Sequence, residues 1–237
     1  MVFKVLRIFG RESSFTGKYV LLYPQMIKES MKHIVLVICL FIGINVNSQT
    51  ADAAFKKGVA KYEAKDYKGA VADFTKVIQL NPKRADALNL RGNCKQRSDD
   101  YKGAIADYSQ AIKLKPTLAE AYTQRAHSKY MSLNLAGTPE DYKVIIADYT
   151  KAIELNPKDT VAYLNRGTTH EYLKDYKAAV YNFTKLCELT PNSGEAYYYR
   201  ANAEDKAGEK EAACTDWNKA IELGENRAQP FIAKNCN

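Results

Sequence analysis

The sequence predicts an all-α protein, an α-solenoid of about five helix–turn–helix repeats followed by a C-terminal capping helix. Two nearly identical segments, DYKGAVADFTKVIQLNP from Asp66 and DYKGAIADYSQAIKLKP from Asp100, start 34 positions apart. Four prolines recur at spacings of 34, 41 and 34 residues: Pro82, Pro116, Pro157 and Pro191. Four tyrosines recur at the same spacings: Tyr67, Tyr101, Tyr142 and Tyr176. A fixed period in this range is typical of stacked units, none of which can bury its apolar face alone.

Each unit is predicted to contain two helices. In the first unit, one helix covers about 53–64, and an Asp-Tyr pair then opens the second helix, which ends at Asn-Pro. The predicted unit boundaries are 51–84, 85–118, 119–159, 160–193 and 194–227. Residues 228–237 are too few for a sixth unit, so we expect them to form a cap in which Phe231 and Ile232 cover unit five.

The repeated positions resemble the tetratricopeptide repeat (TPR) family. Small residues stand at position eight of each unit: Gly58, Gly92, Ala126, Gly167 and Ala201. Aromatic residues stand at position twenty-four: Phe74, Tyr108, Tyr149, Phe183 and Trp217. The pattern departs from the family at Ile145, where Ala is usual, and at Glu225, where Pro is usual. The resemblance covers 51–227 and implies a right-handed solenoid that acts as a non-catalytic protein–protein interaction scaffold.

The resemblance also implies a binding site, a concave groove lined by the first helix of each unit. The candidate groove residues are those at the positions where the family contacts its ligands. They are Tyr62, Asn89, Asn93, Arg97, His127, Tyr130, Glu171, Tyr172, Tyr198 and Asn202. Such a mixture suits an extended peptide or a helix from a partner protein. Some TPR proteins bind a C-terminal carboxylate with Lys at position five and Asn at nine, but here Asn89 replaces the Lys. The alternative is a structural or assembly subunit that docks in an envelope complex through the edge of the solenoid.

A base at position seven and an acid or amide at position twenty-three recur in every unit. The predicted structural ion pairs involve Arg91, Arg125, Arg166, Asp73, Asp107 and Asp148, with Lys57, Arg200, Asn182 and Asp216 at the remaining copies. A partly buried arginine needs such a partner, either in its own unit or in the preceding one. The alternative is a row of arginines that binds anionic ligands.

Unit three is seven residues longer than the others, and the surplus lies near 132–138. Thr138 and Pro139 form a helix start, so we expect the second helix to begin near Pro139 and the first helix to gain about one turn. Two roles remain open for the insertion: a neutral surface loop, or a contact loop on one edge of the solenoid.

The N-terminus is predicted to direct export. Residues 31–48 contain a short basic start, an apolar run from Ile34 to Ile44 and a small residue, Ser48, which together are typical of a signal peptide cleaved near Ser48. The apolar run is short for a membrane anchor, which needs about 20 residues. Lipidation of Cys39 is a weaker alternative. If residues 31–48 are a signal peptide, residues 1–30 are an over-extended start or an unstructured leader. We expect the mature protein to be periplasmic or in the cell envelope, and to contact the membrane only during export.

Export would place the cysteines in an oxidising compartment, where disulfides persist. Cys214 and Cys236 lie on either side of a turn at Gly224 and come level in an antiparallel helix pair. We therefore hypothesise a Cys214–Cys236 disulfide that ties the cap to the array. Cys94 and Cys187 are expected to be small buried apolar residues.

Composition and motifs argue against several other functions. The formal net charge is +8, but residues 1–48 hold six basic and two acidic residues, and the remaining charges are interspersed. Nucleic-acid binding needs a concentrated basic face, so it is not expected. The sequence contains no catalytic constellation, phosphate-binding loop or zinc spacing. We therefore expect no enzyme activity, metal, cofactor or small-molecule substrate, and a protein or peptide as the partner.

Overall fold

The computed structural model describes residues 49–133 and 136–236. The predicted leader at 1–30, the signal peptide at 31–48 and its cleavage position at Ser48 lie outside the described residues. Residues 51–237 form one compact unit. Within the described ranges, no helix has both the length and the apolar character that crossing a membrane requires.

Helices joined by short turns make up this unit. In chain order they are α1 (49–63), α2 (Tyr67–Leu80), α3 (Ala85–Gln96), α4 (Tyr101–Leu114), α5 (Ala119–Ser132), α6 (Pro139–Leu155), α7 (Thr160–Tyr172), α8 (Tyr176–Leu189), α9 (Gly194–Ala207), α10 (Lys210–Glu222) and α11 (Gln229–Asn235). Each helix packs against the next, and the first helices of neighbouring units also touch, α3 with α5 and α5 with α7. The predicted α-solenoid with a C-terminal helix is confirmed.

The turn inside most units follows one design. Asp66, Asp100 and Asp175 cap the second helices, each accepting a hydrogen bond from the backbone N–H three residues later at 2.9–3.2 Å. The residue before each cap has a positive φ, between 56° and 62° at Lys65, Asp99 and Lys174. Unit five uses Gly208 there, at φ 88°, which is the residue best suited to the left-handed region.

Unit three replaces that turn with a different helix start. Thr138 accepts from the Asp141 N–H and Asp141 accepts from the Thr138 N–H, which is a capping box, with Pro139 in the first turn. Helix α6 has 17 residues where α4 and α8 have 14, while α5 ends after 14 residues. The second helix begins at Pro139 as predicted. The expected full extra turn on the first helix is wrong, because α5 ends at Ser132 and has 14 residues against 12 in α3 and 13 in α7.

The core of each unit is an aromatic ring packed on a small residue. Phe74, Tyr108, Tyr149, Phe183 and Trp217 are all at most 1% exposed. A Cβ placed on Gly92 would lie 2.6 Å from Tyr108 Cε1, and one on Gly167 would lie 2.6 Å from Phe183 Cε1. Glycine at position eight therefore lets the two helices of a unit approach closely enough to enclose the ring.

Helix α11 covers the outward side of unit five. Phe231 stacks on Trp217 with ring centroids 5.3 Å apart and meets the edge of Tyr198 at 5.9 Å. The sulfur atoms of Cys214 on α10 and Cys236 lie 2.06 Å apart, a disulfide distance. The other described cysteines, Cys94 and Cys187, are buried and free.

We predict that Gly167→Val lowers the free energy of unfolding by about 2–3 kcal/mol, because its side chain would overlap the Phe183 ring. Urea denaturation followed by circular dichroism measures the loss. Lys177→Val, at an exposed position of α8, is the control for adding a β-branched residue and should change stability far less. Equal stability of Gly167→Val and the parent chain would contradict the packing described here.

Candidate functional site

The arginines at position seven stabilise the solenoid. Arg91 donates from Nε and Nη2 to the two carboxylate oxygens of Asp107 at 2.8 and 2.6 Å. Arg125 bonds Asp148 in the same way at 2.9 and 2.6 Å, and Arg200 bonds Asp216 through the same two nitrogens. Each pair lies within one unit, and bidentate geometry is the strong form of this interaction.

The same arginines also join neighbouring units. Nη1 of Arg91 donates to the Thr75 hydroxyl of the preceding unit at 3.1 Å, and Nη1 of Arg125 donates to Ser109 at 3.2 Å. Arg166 donates to Thr150 at 3.0 Å. Sequence reasoning missed this partner, a hydroxyl at position twenty-five of the preceding unit. The signal was the recurrence of Thr or Ser at that position, as Thr75, Ser109 and Thr150.

Two of the predicted ion pairs require correction. Asp73 pairs with Lys61, whose Nζ lies 2.6 Å away, rather than with the exposed Lys57. Arg166 donates from Nε to the amide oxygen of Asn182 at 2.8 Å and forms no ion pair with the described residues. The physical reason at Asn182 is that an amide can accept the hydrogen bond but carries no charge.

Position eleven adds a second charged group beside the acid. Lys95 and Lys129 each lie 2.8 Å from the carboxylate that the neighbouring arginine binds. Unit five has Glu204 there instead, only 7% exposed, with one oxygen 3.6 Å from Arg200 Nε and the other without a partner. Burial, and then the nearby Asp216 carboxylate, raise the pKa of Glu204 to about 7.

Asn93 and Asn202, two of the predicted groove residues, bond side chains of their own units. The Tyr108 hydroxyl donates to Asn93 Oδ1 at 2.7 Å, and Trp217 Nε1 donates to Asn202 Oδ1 at 3.1 Å. Asn93 also donates to Glu120 at 3.1 Å. In units two and five, an amide at position nine therefore accepts the hydrogen bond of the buried aromatic at position twenty-four, which needs a partner.

A cavity lies between the first helices of units two, three and four. It measures about 500 Å³, and its lining comes from α3, α5, α7, the turn after α3 and the first residue of α4: Gln96, Arg97, Asp99, Tyr101, Gln124, His127, Val161 and Asn165. Arg97 is exposed, and the His127 ring is 2.9 Å from Gln96 Nε2. Burial, and then the charge of Arg97, lower the pKa of His127.

The cavity brings together only two of the predicted groove residues, Arg97 and His127. Sequence reasoning missed Gln124 and Asn165, which occupy position six of two successive units. That recurrence of amides was the available signal. Asn89 is 5% exposed with its Oδ1 unpartnered, and Tyr62 packs on the core of unit one.

A cluster of tyrosines joins units three and four at one end of their first helices. The Tyr172 ring stacks on Tyr142 and meets the edge of Tyr130, with centroids 5.6 Å apart in both pairs. Tyr172 is 45% exposed, so it offers an aromatic face to solvent. The neighbouring Glu171 is paired with Lys206 of unit five at 2.7 Å.

In unit five the predicted groove position Tyr198 contacts the cap instead of an open channel. It packs against Phe231, and the Arg227 guanidinium lies 4.8 Å from its ring centroid. Together with the internal bond of Asn202, this leaves both predicted groove residues of unit five engaged in contacts within the chain. Across residues 49–133 and 136–236, no three or more His, Cys, Asp or Glu side chains are grouped so as to hold a metal ion.

Comparison with known proteins agrees with the repeat pattern. Tetratricopeptide repeat models match residues 52–84, 85–118 and 148–181. A search of curated proteins finds no match to the chain. The chain is therefore a tetratricopeptide repeat protein, with the paired-helix units of that family.

Solved structures show the same fold. A crystal structure of MamA is 22% identical with a TM-score of 0.67, and the match covers 77% of this chain and 96% of that one. YrrB, described as a TPR protein with an unusual peptide-binding site, is 20% identical with a TM-score of 0.65, covering 81% and 95%. TTC0263, a thermophilic TPR protein from Thermus thermophilus, is 17% identical with a TM-score of 0.56, covering 78% and 98%. The fold and family support a protein-interaction scaffold.

We predict that Glu204 makes the folded chain less stable as the pH rises. Its pKa in the folded protein is about 7, above the ordinary value of 4.5, so its contribution to stability is complete below pH 4.5 and is lost as the pH rises through 7. Between pH 5 and pH 8, the unfolding free energy of the parent chain should fall by on the order of 2 kcal/mol relative to Glu204→Gln.

Urea denaturation at both pH values measures this difference. Glu63→Gln removes a carboxylate at an exposed position of α1 and should follow the pH dependence of the parent chain. Identical pH dependence of the parent and Glu204→Gln would show that Glu204 is ionised throughout the range.

Proposed function

We propose that the chain is a non-catalytic scaffold that binds a peptide or helix of a partner protein in the groove between α3, α5 and α7. The observation that carries this proposal is the cavity of about 500 Å³, which is lined by the first helices of three successive units. A ligand that spans several units needs such a continuous site. Binding of a partner protein is the general role of TPR proteins. We expect no cofactor, nucleic acid or small-molecule substrate in the groove.

The groups around the cavity favour an extended peptide. Gln124 and Asn165 carry amides that can both donate to and accept from a peptide main chain, while Val161 is 50% exposed and supplies an apolar contact. Arg97 adds a positive charge at one side, which favours an acidic or polar side chain there. Tyr172, at the end of α7, is a further exposed aromatic ring of unit four, outside the residues that line the cavity.

We predict that peptides selected on the chain from a random display library lose at least about tenfold in affinity for Arg97→Glu, because the charge reversal repels an acidic or polar ligand group. Isothermal titration calorimetry measures each affinity. Lys113→Glu makes the same charge change at an exposed position of α4 outside the cavity and should bind like the parent chain.

The groove assignment would be refuted by equal losses in both variants, or by peptides that bind Arg97→Glu normally. Thermal unfolding of the two variants checks that neither substitution disturbs the fold.

A second function, a permanent assembly subunit, is favoured by apolar groups on the second helices. Val144 on α6 and Tyr181 on α8 are 53% and 57% exposed, and neither lines the cavity. Exposed side chains of this kind suit docking through another side of the solenoid. Light scattering separates the two functions, because a free groove-binding module stays monomeric over a wide concentration range whereas an assembly subunit associates.

We also propose that the chain is exported and matures by cleavage near Ser48. The support is the short basic start and apolar run in residues 31–48, together with the placement of Cys214 beside Cys236. An oxidising periplasm or envelope would allow those two residues to form a disulfide. The bond would hold the cap on unit five.

We predict that the mature protein begins at Gln49 and contains one Cys214–Cys236 disulfide. Dithiothreitol should lower its free energy of unfolding by about 3 kcal/mol, since reduction frees a loop closed over 22 residues. The double variant Cys214→Ser/Cys236→Ser should be equally unstable with and without the reductant. N-terminal sequencing tests the start at Gln49, and mass spectrometry after thiol alkylation tests the disulfide. Four alkylated cysteines in unreduced mature protein would contradict the disulfide.

A further inference from the structure

Arg166 differs from Arg91, Arg125 and Arg200 because no carboxylate binds the Nε and Nη2 edge of its guanidinium. Its Nε bonds the Asn182 amide oxygen and its Nη1 bonds the Thr150 hydroxyl. None of the described residues accepts a hydrogen bond from Nη2. That nitrogen is also absent from the buried polar atoms that lack a partner, so it reaches solvent.

The other units show what this nitrogen normally binds. In Arg91, Arg125 and Arg200 the Nε and Nη2 atoms hold the two oxygens of one carboxylate. Asn182 fills half of that arrangement, because its single oxygen accepts from Nε while its Nδ2 donates to the backbone of Ala178. Unit four therefore keeps the guanidinium but lacks the carboxylate oxygen that would bind Nη2.

No acidic side chain within the described ranges compensates the charge. Burial lowers the pKa of Arg166, and the ionisable groups near it include Tyr163 on α7, Tyr181 on α8 and His170. The nearby His170 is turned to Asp175, the cap of α8, with 3.4 Å between His170 Nδ1 and the carboxylate. A half-buried guanidinium without a counter-charge favours an anion from outside.

The position of Arg166 separates it from the proposed groove. On α7 the cavity is lined by Val161 and Asn165, and Arg166 lies about 140° and about 100° around the helix from these two residues. Arg166 therefore projects from a different side of α7 and is not among the residues that line the cavity. The ring of Tyr181, on the neighbouring helix and 57% exposed, supplies apolar surface near it.

We propose that Arg166 is the centre of a second docking site, which binds a carboxylate side chain from an acidic segment of a partner protein. A carboxylate fits because three other units hold one against the same edge of the guanidinium. The exposed Tyr181 ring contacts the aliphatic part of the acidic residue or of its neighbour. This site goes beyond the groove and does not depend on it.

Nuclear magnetic resonance of the full-length protein tests the site, with an oligoglutamate peptide as the probe at low ionic strength. The expected result is a saturable shift of the backbone amide signals of Tyr181 and Asn182, weakened several-fold at 0.5 M salt because the pair is partly exposed. Oligolysine should cause no shift. No response to oligoglutamate, or a response to inorganic phosphate alone, would overturn the proposal.

Asn182→Asp is the decisive variant, because it supplies the missing carboxylate from within the chain. We expect it to raise the melting temperature and to weaken oligoglutamate binding at least about fivefold by competition for Nη2. Arg166→Gln should abolish the shift, and Lys113→Ala, which removes an exposed charge outside both sites, should leave it unchanged. Undiminished oligoglutamate binding by Asn182→Asp or Arg166→Gln would show that Arg166 is not the site.

Discussion

The close approach of the two helices in each unit is the constraint on which the solenoid depends. Glycine or alanine at position eight leaves room for one aromatic ring, and that ring fills the space between the helices. Because the contact is repeated along the chain, every unit presents a similar surface to the next one. The positions of the first helices, and with them the groove, follow from this packing.

The arginines at position seven add a polar counterpart to that apolar contact. A guanidinium that bonds a carboxylate in its own unit and a hydroxyl in the preceding one fixes both the internal geometry of a unit and its register against a neighbour. Unit four retains the link to the preceding unit while losing the charge partner. A structural position that repeats in every unit can therefore acquire a separate role in one of them.

Periodicity made the helices and their order predictable, since the same landmarks recur at 34 residues and each has a local physical reason. Individual side-chain roles were harder to predict. Asn93 and Asn202 stand at family contact positions, yet each bonds the ring of its own unit, because Tyr108 and Trp217 carry a buried donor. The structural role of these two asparagines can be inferred from the sequence only when positions nine and twenty-four are considered together. In unit three the start of α6 at Pro139 was predictable from its local capping residues, whereas the end of α5 carries no such signal and its length was overestimated.

The cap has a consequence for how copies of this protein can meet. In a solenoid, the exposed flank of a terminal repeat is complementary to the opposite terminus, so uncapped arrays are prone to join into filaments. Helix α11 occupies that flank here, with Phe231 lying flat on Trp217. A second copy could therefore stack on this face of unit five only if α11 moved away from Trp217.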